Sequence, residues 1–195
     1  MKNIINMILF VLILGTLLTL TLVTVNYLTE DKITKNAEIS LKKSVLNALD
    51  IPYTRQDLEA VFTARIKEVS RKQTVFYIAG NGNIAWQFSG SGLWGPIVGV
   101  IALAPDGETV KGISFIHQEE TPGLGSRITE KGYLASYIDK RFAPKLALKG
   151  SPAATPETEV DSITGATLSS NALVNILNLN YEEKISMLKE ISNGG

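Results

Sequence analysis

The sequence predicts an α+β protein with one membrane-spanning helix near the N-terminus, followed by an antiparallel sheet flanked by helices. Three observations lead to this class. Residues 3–29 carry no charged side chain, four short segments rich in β-branched and aromatic residues then follow one another, and helical patterns return in the last third. A length of 195 residues accommodates one span and one domain of ordinary size.

The apolar part of the first segment runs from Ile4 to Tyr27, which exceeds the roughly 20 residues needed to cross a hydrocarbon core of about 30 Å. It is longer than the apolar region of a usual signal peptide and no small-x-small cleavage site follows, so we expect a retained anchor. The sequence does not decide on which side of the membrane the domain lies, because only Lys2 precedes the span and the positive-inside rule is weak for long translocated domains. The lysines that follow the span are Lys32, Lys35, Lys42 and Lys43.

Two helices are predicted between the span and the sheet. A polar helix covers Lys35–Leu49, and a second begins at Thr54 with Asp57 as its capping-box partner. The apolar stripe of the second helix consists of Leu58, Val61, Phe62, Ile66 and Val69. We therefore expect a short tail and span over residues 1–29, and a helical connector packed on the domain over residues 30–72.

The spacing of apolar residues changes from a helical to a strand-like pattern at residue 73. We expect the main domain, residues 73–195, to begin there. Hairpin signals at Gly80-Asn81-Gly82 and Pro105-Asp106-Gly107 separate predicted strands. Strands that follow one another without intervening helices predict an antiparallel meander and not a doubly wound sheet. The predicted strands are Thr74–Ala79, Ile84–Ser89, Ile97–Ala104 and Thr109–His117.

Helices are predicted to return in the last third of the chain, over Ile128–Lys145, Leu168–Leu177 and Tyr181–Ile191. Asn180 and Glu183 are suited to capping the last of them. Prolines in residues 151–159 predict an exposed connection between the first two.

The composition excludes several classes of function. A formal net charge of zero without a basic run is unlike a nucleic-acid binder. No cysteine and a single histidine exclude disulfides, cysteine-ligated iron–sulfur or zinc sites, and covalent haem of the Cys-x-x-Cys-His kind. We expect no nucleic-acid partner and no metal site, and any redox chemistry would need a cofactor held by oxygen, nitrogen or carbon.

One glycine-rich segment fits a dinucleotide pattern. Residues 90–95, Gly-Ser-Gly-Leu-Trp-Gly, satisfy G-x-G-x-x-G after a predicted strand. Pro96 and a second β-like segment follow where that motif needs a helix N-terminus, and no βαβ unit surrounds it. The segment is therefore interpreted as a strand connection, in which Trp94 could also form a wall for a flat ligand.

Acid–base and nucleophile patterns are weak. His117 with Ser114 or Ser126 and Asp161 could suggest a hydrolase, but no G-x-S-x-G elbow is present. The neighbours Glu119 and Glu120 would point to opposite faces of extended chain and could not form a close carboxylate pair. We expect no catalytic residue.

Two segments suit a ligand that approaches the backbone. In Thr121-Pro122-Gly123-Leu124-Gly125 a proline and two glycines bracket one leucine, so backbone amides and an apolar side chain could meet a planar ligand. Residues 161–170, Asp-Ser-Ile-Thr-Gly-Ala-Thr-Leu-Ser-Ser, are typical of a helix start, which Asp161, Ser162 or Thr164 can cap. Taken alone, Thr-Gly-Ala-Thr could be only a helix cap.

Three ordered segments resemble the signatures of one family, which contains the C subunit of the sodium-pumping NADH:quinone reductase and the G subunit of the Rnf complex. Asp161-x-x-Thr164-Gly165-Ala166-Thr167-x-Ser169 resembles its flavinylation motif, residues 120–125 its second signature, and Gly92-Leu93-Trp94 with Pro96-Ile97 a third. We call residues 92–97, 120–125 and 161–169 the three signature segments. With one N-terminal span, the resemblance covers essentially the whole chain.

The resemblance implies that residues 73–195 form an FMN-binding domain, and that a separate flavin transferase joins the phosphate of FMN to the hydroxyl of Thr167. The phosphodiester keeps one negative charge, which a helix N-terminus favours by about 0.3–1 kcal/mol at exposed sites. Trp94 and Leu124 are expected to touch the flavin ring, with Glu120 and Thr121 shaping the loop. The implied cofactor-binding residues are Trp94, Glu120, Thr121, Gly123, Leu124, Gly125, Ser162, Thr164, Gly165, Ala166, Leu168 and Ser169.

The first hypothesis is an electron-carrier subunit of an Rnf-type complex that couples electron transfer between ferredoxin and NAD to ion translocation. Such a flavoprotein belongs to an oxidoreductase and translocase but is not catalytic in isolation. The resemblance implies other membrane subunits, the flavin transferase and the lipid bilayer as partners. It also implies a single pass through the cell (inner) membrane, with the domain on the extracytoplasmic side.

Three alternatives stay open. The homologous C subunit of the sodium-pumping NADH:quinone reductase is favoured by Gly92-Leu93-Trp94, whereas Gly95-Pro96-Ile97 and the shorter chain favour the Rnf complex. The other two are a stand-alone, membrane-tethered flavoprotein and a non-redox protein whose Thr-Gly-Ala-Thr is only a helix cap.

Overall fold

The computed structural model describes residues 2–152 and 154–193, so the outermost residues of the predicted segments 1–29 and 73–195 lie outside the described residues. The chain divides into two compact units, Met1–Ser40 and Leu41–Gly195. The predicted α+β class is confirmed, because one long apolar helix precedes an antiparallel sheet with helices. The boundaries at residues 29 and 72 stay predictions.

The first helix, α1, covers Lys2–Ala48. The polar helix predicted over Lys35–Leu49 is therefore the C-terminal part of α1, since neither glycine nor proline interrupts residues 30–48. Thr16, Thr21 and Thr24 donate their hydroxyls to carbonyls four residues earlier at 2.7–2.9 Å, so these polar groups need no solvent partner. The helix is long and apolar enough to cross a membrane.

The second helix, α2, covers Leu58–Arg65. The prediction that this helix begins at Thr54 was wrong, because Asp57 is the N-cap residue and its side chain makes no cap hydrogen bond. Thr54 and Asp57 do form the predicted reciprocal pair, in which the Thr54 amide donates to Asp57 Oδ1 at 2.6 Å and the Asp57 amide donates to Thr54 Oγ1 at 3.3 Å, but this pair closes the turn before α2. The prediction that Ile66 and Val69 continue its apolar stripe was wrong. Both lie in strand β1, Ile66–Arg71, because Ile66 leaves the helix with an extended backbone and pairs with the next strand.

The sheet is a five-stranded antiparallel meander in the order β1-β2-β3-β4-β5. All four predicted strands are confirmed, and β1 is the additional edge strand. Gly82 and Gly107 adopt positive φ in the two hairpins that the turn residues predicted. The strands after β1 are β2, Thr74–Ala79, β3, Ile84–Ser91, β4, Pro96–Leu103, and β5, Val110–Gln118.

The prediction of a long helix over Ile128–Lys145 was wrong. This part of the chain forms a 3₁₀ turn over Gly125–Thr129, the one-turn helix α3 over Lys131–Leu134, and a second 3₁₀ turn over Ala135–Tyr137. Asp139 then adopts a φ of 62°, which a continuing helix does not allow. Two short parallel strands, β6 at Ala147–Leu148 and β7 at Glu159–Val160, are too brief to be predicted from alternation.

The last helix, α4, is one continuous element over Thr167–Asn193. The prediction of two separate helices, with a cap at Asn180 and Glu183, was wrong. Asn180 lies within α4 and donates its side-chain amide to the carbonyls of Ser89 and Ile176. The apolar face of α4 packs on β3 in a core that includes Trp86, Phe88, Leu173, Ile176 and Leu177.

The packing of α4 against β3 is close at Gly90. A Cβ at this glycine would lie 2.6 Å from Cγ1 of Ile176, so a side chain there would force the helix away from the sheet. Ile176 follows Thr167, the first residue of α4, by about two and a half helical turns. The contact therefore fixes α4 on the sheet close to the end that carries Thr167.

Candidate functional site

One buried carboxylate connects the three signature segments. Glu120 is 3% exposed and follows shortly after β5. Its Oε1 accepts hydrogen bonds from the backbone amides of Leu93, at 2.7 Å, and Trp94, at 3.2 Å. Its Oε2 accepts the hydroxyl of Ser169 at 2.5 Å. The Glu120 side chain therefore joins Leu93, which lies 27 positions earlier in the chain, to Ser169, which lies 49 positions later.

Glycines allow the backbone to approach this carboxylate. A Cβ at Gly92 would collide with Oε1 of Glu120, and a Cβ at Gly125 would lie 2.6 Å from Ser169 Oγ and 2.8 Å from Oε2 of Glu120. Both contacts are closer than real Cβ atoms tolerate. The two glycines are therefore explained by the packing around Glu120, without reference to a ligand.

Glu119 has the opposite environment to Glu120. Its side chain is exposed, and its Oε1 lies 3.0 Å from Nε2 of His117. The expectation that these adjacent residues face opposite ways is confirmed. Ser126, which was considered as a hydrolase nucleophile, accepts the Gly123 amide at 3.0 Å and so helps to close its own loop.

Thr167 is exposed at the first position of α4. The four residues before it form a turn in which the Ala166 amide donates to the Ile163 carbonyl at 2.9 Å. Gly165 occupies the third position of this turn with a φ of 83°, as a type II turn requires. We call Ile163–Ala166 the attachment turn. It presents the Thr167 hydroxyl at the N-terminus of a 27-residue helix, where an anionic group is favoured.

Large apolar side chains are exposed in all three signature segments. Trp94 is 73% exposed, Leu124 52% and Leu168 63%, and Leu93 is also exposed. Leu124 reaches the attachment turn, since its Cδ2 lies 4.0 Å from where a Cβ of Gly165 would be. Exposed apolar side chains in neighbouring segments of a small domain indicate a surface that binds a ligand or a partner protein.

The other predicted site residues differ in their exposure to solvent. Ser162, Thr164, Gly123 and Gly165 are exposed, whereas Ala166 and Ser169 are buried and Thr121 is half-buried. The Thr121 carbonyl accepts the amides of Leu124 and Ser126, each at 3.1 Å, and so shapes the loop. Glu120 and Ser169 direct their side chains at each other, behind the exposed surface.

Sequence reasoning missed Ser170, Tyr133 and Tyr137, which lie behind the attachment turn. Ser170 and Tyr137 are fully buried, and the hydroxyls of Tyr133 and Tyr137 are 2.8 Å apart. Burial raises the pKa of Tyr137 well above its ordinary value, so its hydroxyl stays neutral. The second serine of Ser169-Ser170 was visible in the sequence, but nothing there indicated that the tyrosines lie nearby.

The surface around Thr167 lies outside two clefts of the domain. A cleft of about 970 Å³ lies between α4 and strands β2 and β3, and another of about 1260 Å³ lies along β5. Thr167 is exposed and lines neither of them. Within residues 2–152 and 154–193, no group of three or more His, Asp or Glu side chains could hold a metal ion.

Comparison with known proteins relates the candidate site to a type of domain. A family model described as an FMN-binding domain matches residues 92–182. The C subunit of the Na(+)-translocating NADH-quinone reductase of Neisseria meningitidis is 34% identical over 119 residues, which cover 56% of this chain and 46% of that protein. The same subunit of Vibrio parahaemolyticus is 32% identical over 139 residues, covering 65% and 51%. The chain thus spans about half the length of these curated relatives.

Two solved structures share the fold. The crystal structure of Shewanella oneidensis NqrC superposes with a TM-score of 0.71 at 18% identity, covering 83% of this chain and 100% of that one. The C subunit of the Na(+)-translocating NADH-quinone reductase of Parabacteroides distasonis superposes with a TM-score of 0.68 at 22% identity, covering 80% and 95%.

The first prediction concerns Glu120. Glu120→Ala leaves two backbone amides and the Ser169 hydroxyl without their acceptor, so we expect a loss of about 2–3 kcal/mol in the free energy of unfolding, measured by urea denaturation. Glu119→Ala removes an exposed side-chain contact with His117 and should cost less than about 1 kcal/mol. Equal stability of the two variants would contradict the structural role of Glu120.

Proposed function

We propose that this chain, whose residues 92–182 match the FMN-binding domain family, is an FMN-carrying electron-transfer subunit of a membrane redox complex of the NADH-quinone reductase type. The observation that carries the proposal is the junction at Glu120, which gathers the three signature segments around an exposed Thr167. The curated relatives are C subunits of Na(+)-translocating NADH-quinone reductases. They favour this assignment over the Rnf-type complex that the sequence first suggested.

The surface fits a covalently attached FMN. In this proposal the phosphate of FMN is esterified to the Thr167 hydroxyl, and the remaining negative charge lies at the N-terminus of α4. Trp94, Leu124 and Leu168 supply exposed apolar area for the flavin ring. The exposed glycines 123 and 165 leave the backbone open to close approach. FMN, once bound, supplies one- and two-electron transfer, and the protein positions it.

Attachment requires access for a flavin transferase, which the exposed position of Thr167 allows. The flavin donor carries FMN with a second group bonded to its phosphate. The threonine oxygen forms a bond to that phosphorus, the bond from the phosphorus to the second group breaks, and the second group leaves. The hydroxyl proton of the threonine is released. The bond is remote from the flavin ring, so it tethers the cofactor while Trp94 and the glycine-rich loops influence its potential.

We further propose that α1 crosses the membrane once and that the domain lies on the extracytoplasmic side. The apolar length of α1 supports the span, and the family resemblance supports the side. The chain would then pass electrons between membrane-bound partner subunits, while any coupled ion transport would belong to the whole complex.

Thr167→Ala should abolish flavin attachment, because it removes the hydroxyl proposed to form the phosphoester. Wild type co-expressed with flavin transferase should gain the mass of FMN less one water and fluoresce in a denaturing gel. Thr63→Ala, which alters an exposed threonine in α2, outside the three signature segments, is the control and should still be modified. An unmodified wild type, or a modified Thr167→Ala variant, would disprove covalent attachment at this residue.

The absence of native cysteine permits a clean test of topology. Ser186→Cys places a thiol on the exposed side of α4, and Asn3→Cys places one before the span. We expect a membrane-impermeant maleimide, applied to intact spheroplasts, to label Ser186→Cys, and to label Asn3→Cys only after permeabilisation. The reverse pattern would place the domain in the cytoplasm.

Purification from native membranes in a mild detergent tests the membership of a complex. We expect the tagged chain to bring with it multi-span subunits of an NADH-quinone reductase, identified by mass spectrometry. Recovery with Rnf-type subunits would assign the chain to that complex instead. Recovery without multi-span partners, in a detergent that preserves a known complex from the same membranes, would support a stand-alone flavoprotein.

A further inference from the structure

Ser170 bonds both ends of the attachment turn. Its Oγ accepts the backbone amide of Ile163, the first residue of the turn, at 3.1 Å. The same hydroxyl donates to the carbonyl of Ala166, the last residue of the turn, at 3.1 Å. Because Ser170 is fully buried, water cannot replace either bond without opening the structure.

The backbone of Ser170 belongs to the first turn of α4, so the same residue also connects the turn to the helix. Its amide donates to the Ala166 carbonyl at 3.0 Å. The Ala166 carbonyl thus accepts both the amide and the hydroxyl of Ser170. Thr167 lies directly after this doubly bonded carbonyl, which restricts the direction in which it leaves the turn.

Tyr133 supports Ser170 from behind the attachment turn. Burial raises the pKa of Tyr133, an effect that hydrogen bonding to Ser170 and Tyr137 partly offsets. The tyrosine therefore stays neutral at physiological pH. The neighbouring Ser136 accepts the Asp161 amide at 3.4 Å, so the segment around α3 contacts the chain both before and after the attachment turn.

We propose that Ser170 is a positioning residue for flavin attachment: its hydroxyl closes the turn Ile163–Ala166 and thereby holds Thr167 in the orientation that the flavin transferase modifies. This inference rests on the proposed attachment of FMN to Thr167. Ser170 is buried and acts through the backbone of the turn, which would otherwise sample conformations that direct Thr167 elsewhere.

Ser170→Ala tests the proposal. We expect the initial rate of FMN incorporation by flavin transferase to fall by about tenfold, since an unpaired buried amide favours opening of the turn. Amide hydrogen exchange in residues 163–166 of the unmodified chain should accelerate by a similar factor. Ser170→Thr retains the hydroxyl and should recover most of the incorporation rate.

Thr158→Val is the matched control. Thr158 is also buried, and its Oγ1 accepts the Thr155 amide at 3.0 Å in another turn. This variant should lose stability without slowing FMN incorporation. Wild-type incorporation in a folded Ser170→Ala variant would overturn the proposal, and so would an equal slowing in both variants, because that would reflect general destabilisation.

A second variant covers the case in which Ser170→Ala does not fold. Gly165→Ala strains the same turn from its exposed side, since alanine disfavours a φ of 83°. It should slow incorporation while leaving the core intact, and a wild-type rate would overturn the proposal. An unmodified wild type would instead refute the proposed attachment of FMN to Thr167, so the two failures are distinguishable.

Discussion

The site depends on the burial of one carboxylate among donors from separate parts of the chain. Glu120 accepts two backbone amides and one hydroxyl, and a buried carboxylate without such donors would be strongly destabilising. The loop after β3, the loop after β5 and the start of α4 must therefore lie together for the domain to fold. The hydrogen bonds to Glu120 therefore both arrange the proposed FMN surface and stabilise the domain.

The remainder of the domain supports this junction. The meander places β3 and β5 on the two sides of β4. The loop after β5 carries Glu120, and the loop after β3 donates two amides to it. The core contact of Ile176 with Gly90 holds α4 on β3, and Ser170 holds the attachment turn on α4. The exposed side chains of the site are thus carried on a buried framework, as a precise binding surface requires.

Local patterns predicted much of the fold but failed where tertiary contacts decided the outcome. The four strands and their hairpins follow from β-branched residues and turn glycines. Ile66 and Val69 have helical spacing but are β-branched, and pairing with β2 selects the strand. Asn180 resembles a cap, but its bonds to the carbonyls of Ser89 and Ile176 let α4 continue. The segment after residue 128 has apolar residues, yet the extended backbone at Glu130 and at Ile138 limits its helices to short turns.

The sequence by itself determined the length of the apolar span, the antiparallel meander and the three segments that make up the candidate site, since each depends on residues close together in the chain. Only the tertiary structure decided that Glu120 is buried at their junction while Glu119 is exposed, and that Ser170 closes the attachment turn. Those roles depend on hydrogen bonds between residues up to 49 positions apart, and side-chain burial of this kind is set by the packing of the whole domain.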